Sequence, residues 1–239
     1  MNIRLKDWLK YRDKLRELSE EASDEMLRWA TKRGGFANIE RAEIIRYAHA
    51  LATKYGEASA SLAADMYDAV AILSKANVPE AVVASTATMA EVGKTINGTM
   101  KYSTDDEYVS SVVGRLVKQA GQDTTVQNAV RDHAEWAWIP DGGTCAFCLT
   151  LASQGWQRAS KSALNGGHAE HIHSNCDCAY AIRFNSNTNV QGYDPDRYLK
   201  MYQSAEGRTP AEKINALRRM AYAEDKKTEG TENDGLIEV

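Results

Sequence analysis

The chain has 239 residues, of which 43% are apolar and 26% are charged, and its formal net charge is -4. This is the composition of an ordinary globular protein, and it excludes collagen-like, mucin-like and wholly disordered classes. No apolar stretch approaches the roughly 20 residues that a membrane-spanning helix needs, and residues 1–7 lack the apolar core of a signal peptide. We therefore expect a cytoplasmic protein with no membrane partner. The mildly acidic balance disfavours a protein whose main work is to coat nucleic acid.

Two long amphipathic helices are predicted at the N-terminus. Apolar residues recur at helical spacing over residues 1–32 and again over residues 42–75. The apolar stripe of the first helix includes Trp8, Met26 and Trp29. Such a face packs either on the second helix of the same chain or on helices of another subunit, and the sequence leaves both alternatives open.

Further helical segments are expected up to residue 135, which together with the first two helices form a helical domain over residues 1–135. A helix is predicted over residues 79–91 from its proline start, followed by a loop around Asn97-Gly98. Residues 104–107, Thr-Asp-Asp-Glu, have the form of a capping box, so another helix should follow them. Gly121 is expected to interrupt that helix.

The hydrophobic pattern changes at about residue 135. Two short β-prone runs, 136–139 and 179–184, bracket all the cysteines and predict a small β-containing knuckle over residues 136–184. Cap residues ahead of prolines predict C-terminal helices within residues 185–224. Residues 225–239 lack any period and are predicted to be disordered. The predicted fold class is therefore mainly α, with a long helical N-terminal part, this knuckle and C-terminal helices.

The four cysteines form two pairs within residues 145–178, and histidines accompany the second pair. Two residues separate Cys145 from Cys148, a spacing that lets both thiolates bind one ion from a tight turn. Structural zinc takes four ligands, so the sequence predicts one structural Zn²⁺ held by a set drawn from Cys145, Cys148, His173, Cys176 and Cys178.

Which four of these five residues bind the zinc stays open. The preferred set contains the first three and either Cys176 or Cys178, and a four-cysteine site beside His173 is nearly as good. His171 is a further candidate. A redox pair of the thioredoxin type is disfavoured because no βαβ pattern surrounds Cys145 and Cys148.

The residues around these cysteines resemble the signature of the phage Mu F-like head morphogenesis family. That family reads approximately Asp-x-Arg-Thr-Cys-x-x-Cys, then His-x-x-Cys-x-Cys and a strand. Residues 141–148 read Asp-Gly-Gly-Thr-Cys-Ala-Phe-Cys and residues 173–178 read His-Ser-Asn-Cys-Asp-Cys. Gly143 and Asp177 stand where the family usually has arginine.

The resemblance implies a minor head protein of a phage or prophage of Gram-positive bacteria. Such a protein acts with the portal and with capsid or scaffold proteins during head assembly, and it has no enzymatic activity. It would be found in the virion head near the portal, and in the host cytoplasm during assembly.

Two other functions compete with this interpretation. His171-Ile172-His173 followed by Asn175 superficially matches an HNH nuclease, but no histidine follows residue 173 to complete a hydrolytic site. The second alternative is a zinc-stabilised DNA-binding module, with bases stacked on aromatic residues and phosphates bound by basic ones: Trp136, Trp138, Trp156, Tyr180, Arg158, Lys161 and Arg183. Contact with packaged DNA stays open, whereas we expect no catalytic residue and no small-molecule substrate.

Overall fold

A computed structural model describes residues 2–140, 146–160 and 179–220, and it is mainly helical, as predicted. The helices are α1 (Leu5–Thr31), α2 (Arg41–Ser74), α3 (Met89–Met100), α4 (Asp106–Arg131), α5 (Ala146–Ala152) and α6 (Pro195–Ser204), with a 3-10 turn at Phe36–Asn38 and a further helix over residues 210–220. The strands are β1 (Asn2–Ile3), β2 (Glu135–Ile139), β3 (Gln157–Arg158), β4 (Ala179–Arg183) and β5 (Asn189–Val190). The predicted tail over residues 225–239 lies outside the described residues.

Helix α4 packs against both α1 and α2 and forms the centre of a helical bundle. A Cβ atom on Gly114 would lie 2.6 Å from the carbonyl oxygen of Ser19 in α1, and one on Gly121 would lie 2.6 Å from Oγ of Ser59 in α2. The helices therefore approach too closely for a side chain at either position. Gly121 was expected to interrupt the helix, and this prediction is wrong. The glycine is a point of contact, and α4 continues to Arg131.

The apolar stripe of α1 is buried inside the chain. Trp8 and Met26 are 2% and 0% exposed, and Trp29 stacks on Tyr47 of α2 with ring centroids 4.5 Å apart. Of the two alternatives for this face, packing within the chain is the one found. Trp8 and Met26 are therefore not available to another subunit, and Trp29 is half-buried against α2.

The chain between α2 and α3, residues 76–88, is called the strap here, and it is not helical. The amide of Val82 donates to Oδ1 of Asn128 at 2.9 Å, and Nδ2 of Asn128 donates to the carbonyl of Val82 at 2.8 Å. The amide of Ala84 donates to Oγ1 of Thr124 at 2.9 Å. Side chains of α4 thus bond the peptide groups of the strap in place of a neighbouring strand.

The spacing of these bonds matches the geometry of a helix beside an extended chain. One helical turn of four residues rises about 6 Å, and two residues of extended chain span about 6.6 Å. Alternate residues of the strap therefore meet successive turns of α4. The pattern continues at Arg131, whose Nη1 donates to the carbonyl of Glu80 at 3.1 Å.

The helix predicted over residues 79–91 is therefore wrong, and α3 begins at Met89. Thr88 forms a capping box with Glu91, which satisfies the first amides of α3. The β-branched side chains of Val82 and Val83 also favour the extended conformation. The loop predicted at Asn97-Gly98 is wrong as well, because both residues lie inside α3.

The two predicted strands around the cysteines are confirmed as β2 and β4. They pair antiparallel, with Ile139 opposite Ala179, and β3 pairs with the other edge of β2. This sheet shares one apolar core with the bundle, including Trp8, Tyr67 and Trp138. The packing is thus continuous across residue 135, where the sequence pattern changes from helix to strand.

A buried acid joins α2, α4 and the strap just before β2. Oδ2 of Asp132 accepts hydrogen bonds from Tyr67 Oη at 2.8 Å and from Arg131 Nη2 at 2.6 Å. Burial favours the neutral acid, but these hydrogen bonds outweigh it and hold the pKa of Asp132 below its usual range. Arg131 also donates to the carbonyl of Pro79 at 3.0 Å, so one ion pair connects the bundle to the strap.

The described part of the chain contains no helix that is long and apolar enough to cross a membrane.

Replacing Gly114 with alanine should lower the free energy of unfolding by about 1–3 kcal/mol. The added Cβ would overlap the carbonyl oxygen of Ser19, which is backbone and cannot rotate away. Urea denaturation followed by circular dichroism measures the change. Gly98→Ala in α3 is the control: its Cβ meets no atom within 4 Å, so stability should be unchanged or higher by up to about 1 kcal/mol. Equal stability of the two variants would contradict the close approach of α1 and α4.

Candidate functional site

Of the five predicted zinc ligands, only Cys148 is among the described residues. Cys145, His173, Cys176 and Cys178 lie outside them, as does His171. Within residues 2–140, 146–160 and 179–220, no group of three or more His, Cys, Asp and Glu residues could hold a metal ion. The ligand set therefore stays a prediction, and the structure describes the framework around it.

Helix α5 holds Cys148 in a buried position. The residue is 1% exposed and belongs to the core of the sheet. At the C-terminal end of α5, Tyr193 Oη donates to the carbonyl of Ala152 at 3.1 Å. At its other end, Ala146 packs in a small cluster with Ala205 and Leu217 from the C-terminal helices. Helix α5 is thus held between the sheet and the C-terminal helices.

The pairing of β2 with β4 brings together the two ends of the segment that carries the cysteines. The chain leaves β2 after Ile139 and enters β4 at Ala179, and these two residues are partners in the antiparallel ladder. In the sequence, Cys178 immediately precedes Ala179, and Cys145 immediately precedes α5. Both cysteine pairs are therefore attached directly to elements of one packed framework.

Three of the four aromatic residues proposed to stack on bases are instead buried in the core. Trp136, Trp138 and Tyr180 are 5%, 2% and 3% exposed, and Tyr180 makes edge contacts with both indoles at 4.9 and 4.8 Å. Trp156 lies beneath the guanidinium of Arg183 at 4.7 Å, and that guanidinium is paired with Glu135 at 2.6 Å. Base stacking by the three buried rings would require the sheet to open, whereas Trp156 is half-buried and has one face covered by Arg183.

A second candidate site is a cavity of about 480 Å³ between the end of the strap and the helical hairpin that α3 and α4 form. We call it the strap–hairpin cavity. Its lining is largely polar and includes hydroxyl, amide and charged side chains, among them Thr86, Glu91, Lys94, Arg115, Gln119 and Asp123.

The charged groups of the strap–hairpin cavity differ in how they are compensated. Glu91 accepts hydrogen bonds from the amide and hydroxyl of Thr88 at 2.7 and 2.8 Å, which lower its pKa. Burial raises the pKa of Asp123 to about 6, against a hydrogen bond from Gln119. Burial also lowers the pKa of Arg115, and across the described parts of the chain no carboxylate pairs with it.

Sequence reasoning missed this cavity. It treated Gly121, two residues before Asp123, as a helix interruption, and it singled out neither Lys94 nor Arg115. No local pattern marks these residues, because they meet only through the packing of α3 and the strap on α4. The nearest signal was Asp123 itself, an acid in the middle of an otherwise buried helix.

Replacing Asp123 with asparagine should remove a pH dependence of stability. The pKa of Asp123 is about 6 in the folded protein against an ordinary 3.8, so the folded chain binds the proton more tightly. The free energy of unfolding contributed by this group therefore falls as pH rises from about 4 to about 6. Asp123→Asn should abolish this fall and raise stability at neutral pH by about 1–3 kcal/mol, measured by urea denaturation at several pH values.

The exposed Asp65 of α2 supplies the matched control. Asp65→Asn should change stability by less than about 0.5 kcal/mol at neutral pH. A loss of stability in Asp123→Asn at neutral pH would show that the carboxylate is a stabilising group, contrary to the burial of its charge.

Comparison with known proteins identifies a family for most of the chain. The sequence model of the VG15 protein family matches residues 2–205, a range that contains the bundle, the sheet, both cysteine pairs and α6. Neither the search of curated proteins nor that of solved structures returned a match. The family match indicates a viral protein of the phage type. Since the match covers well over half of the residues, the chain belongs to the VG15 protein family.

Proposed function

We propose that this protein is a minor head protein of a phage, acting in head morphogenesis near the portal, with one structural Zn²⁺ and no enzymatic activity. The observation that carries the proposal is the pairing of Ile139 with Ala179. It fixes both ends of the segment whose cysteine and histidine spacing resembles the Mu F-like head morphogenesis signature. Membership of a viral family supports the same function.

The residues present fit a zinc ion by their chemistry. Cys148 is a buried thiol on a fixed helix, and a zinc-bound thiolate is stable in such a place because the metal compensates its charge. Cys145, His173 and one of Cys176 and Cys178 would complete a tetrahedral set. Four protein ligands leave no open position for a catalytic water, so the ion would serve folding alone.

The composition of the segment supports this use of zinc. Residues 140–178 are rich in Gly, Ser and Asn and poor in large aliphatic side chains. Apart from α5, whose apolar side chains are buried, the segment has few side chains for apolar burial, and metal binding would supply the missing free energy. The β2–β4 ladder contributes as well, because it joins the two ends of this loop and so lowers the entropy cost of ordering it.

The contact with portal, capsid or scaffold proteins is proposed to use a surface other than the α1 stripe. Trp8 and Met26 are buried within the chain, so an assembly partner would meet the outside of an already packed bundle. This arrangement is typical of a protein that folds before it joins a particle.

The purified protein should carry about one tightly bound zinc per chain, measured by elemental analysis after gel filtration. His173→Ala should lose most of the zinc, because a tetrahedral structural site does not tolerate loss of a ligand. His49→Ala is the matched control, since His49 lies in the middle of α2, and it should retain full zinc content. A metal-free folded protein with four titratable thiols would contradict the site.

Purified phage heads should contain this chain at a far lower copy number than the major capsid protein, measured by quantitative mass spectrometry. A minor component near the portal occupies a single vertex, whereas the capsid protein covers the whole shell. A portal pull-down from the same infected cells gives a second measurement. Absence of the chain from both the heads and the pull-down would refute the head assignment, even with zinc confirmed.

A further inference from the structure

The strap–hairpin cavity contains a cation that the protein itself does not neutralise. Arg115 is partly buried in α4, and in the described portions of the chain no acid forms an ion pair with it. Lys94 of α3 lines the same cavity. A partly desolvated guanidinium is stabilised by an anion that offers two oxygen atoms, as phosphate does.

The other end of the cavity has a different chemistry. Asp123 is eight residues beyond Arg115 on α4, which places it about 12 Å farther along the helix axis. Gln119, one turn before Asp123, also lines the cavity and donates to that carboxylate. An amide beside a carboxylate can pair with the donor and acceptor edge of an amino-bearing base.

The cavity also offers room where a ligand would need it. Its volume of about 480 Å³ is in the range typical of sites for small organic ligands. Gly98 of α3 lines the cavity, and a Cβ built on it would meet no atom within 4 Å. The backbone of α3 is thus uncovered at this point.

We propose that the strap–hairpin cavity binds a nucleoside monophosphate, with the phosphate at Arg115 and Lys94 and the base at Gln119 and Asp123. The ligand is defined by three features of the site: an uncompensated cation, a hydrogen-bonding pair about 6 to 12 Å farther along the axis of α4, and a volume that holds one nucleotide. This inference is independent of the head function proposed above, and no sequence pattern indicated it.

Isothermal titration calorimetry of the full-length protein tests the proposal with three probes: deoxyadenosine monophosphate, deoxyadenosine and inorganic phosphate. The monophosphate should bind at least about tenfold more tightly than either of the other two, because only it reaches both ends of the cavity. Arg115→Gln should weaken its binding by at least about tenfold, through loss of a charge-assisted bidentate contact. Arg28→Gln, which removes an exposed charge from α1, should leave the affinity unchanged.

Gly98→Leu provides a variant that blocks the cavity without disturbing the fold. Leucine is a better helix former than glycine, so the thermal midpoint should be equal or higher while binding of the monophosphate is lost. The proposal would be overturned by no binding of the monophosphate, by equal affinity for deoxyadenosine, or by an Arg115→Gln affinity equal to that of Arg28→Gln. Equal affinity for inorganic phosphate would also overturn it, because the site would then hold free phosphate alone.

Discussion

Helix α4 packs closely against both α1 and α2, and the remaining structure is arranged around that contact. Gly114 and Gly121 face α1 and α2 at points where any side chain would overlap a neighbour. A glycine in a helix interior costs about 1 kcal/mol relative to alanine, and here the close packing of three helices offsets that cost. The other faces of α4 then hold the strap through Asn128 and line the strap–hairpin cavity through Arg115.

Much of the fold could be predicted from the sequence, because most elements carry their own signal. Helices α1 and α2 have long apolar stripes, the β-prone runs around the cysteines form β2 and β4, and cap residues followed by proline start the C-terminal helices. Two of the three failures share one cause. The conformation of the strap depends on Asn128 and Thr124, about 40 residues away in the sequence, and the role of Gly121 depends on Ser59 of another helix. A local pattern contains neither partner.

The two candidate sites also differ in how far the sequence alone indicates them. The cysteine and histidine residues cluster in the sequence itself, so the spacing of those residues is enough to predict a metal site there. The structure adds the ladder that joins the ends of that segment. Arg115, Lys94 and Asp123 are each ordinary charged residues on helices. They form a candidate site because Arg115 and Asp123 are partly buried and because, in the described chain, no carboxylate pairs with Arg115. Both facts depend on tertiary packing.

The strap also constrains how this part of the chain can vary in length. Because side chains of α4 bond the backbone groups of alternate strap residues, Glu80, Val82 and Ala84, an insertion or deletion of one residue would turn the bonded groups away from the helix. A change of two residues would restore the pairing, since side chains and peptide groups alternate with a period of two in extended chain. Relatives of this protein should therefore differ in strap length by even numbers of residues, and an odd change should coincide with altered polar residues along α4.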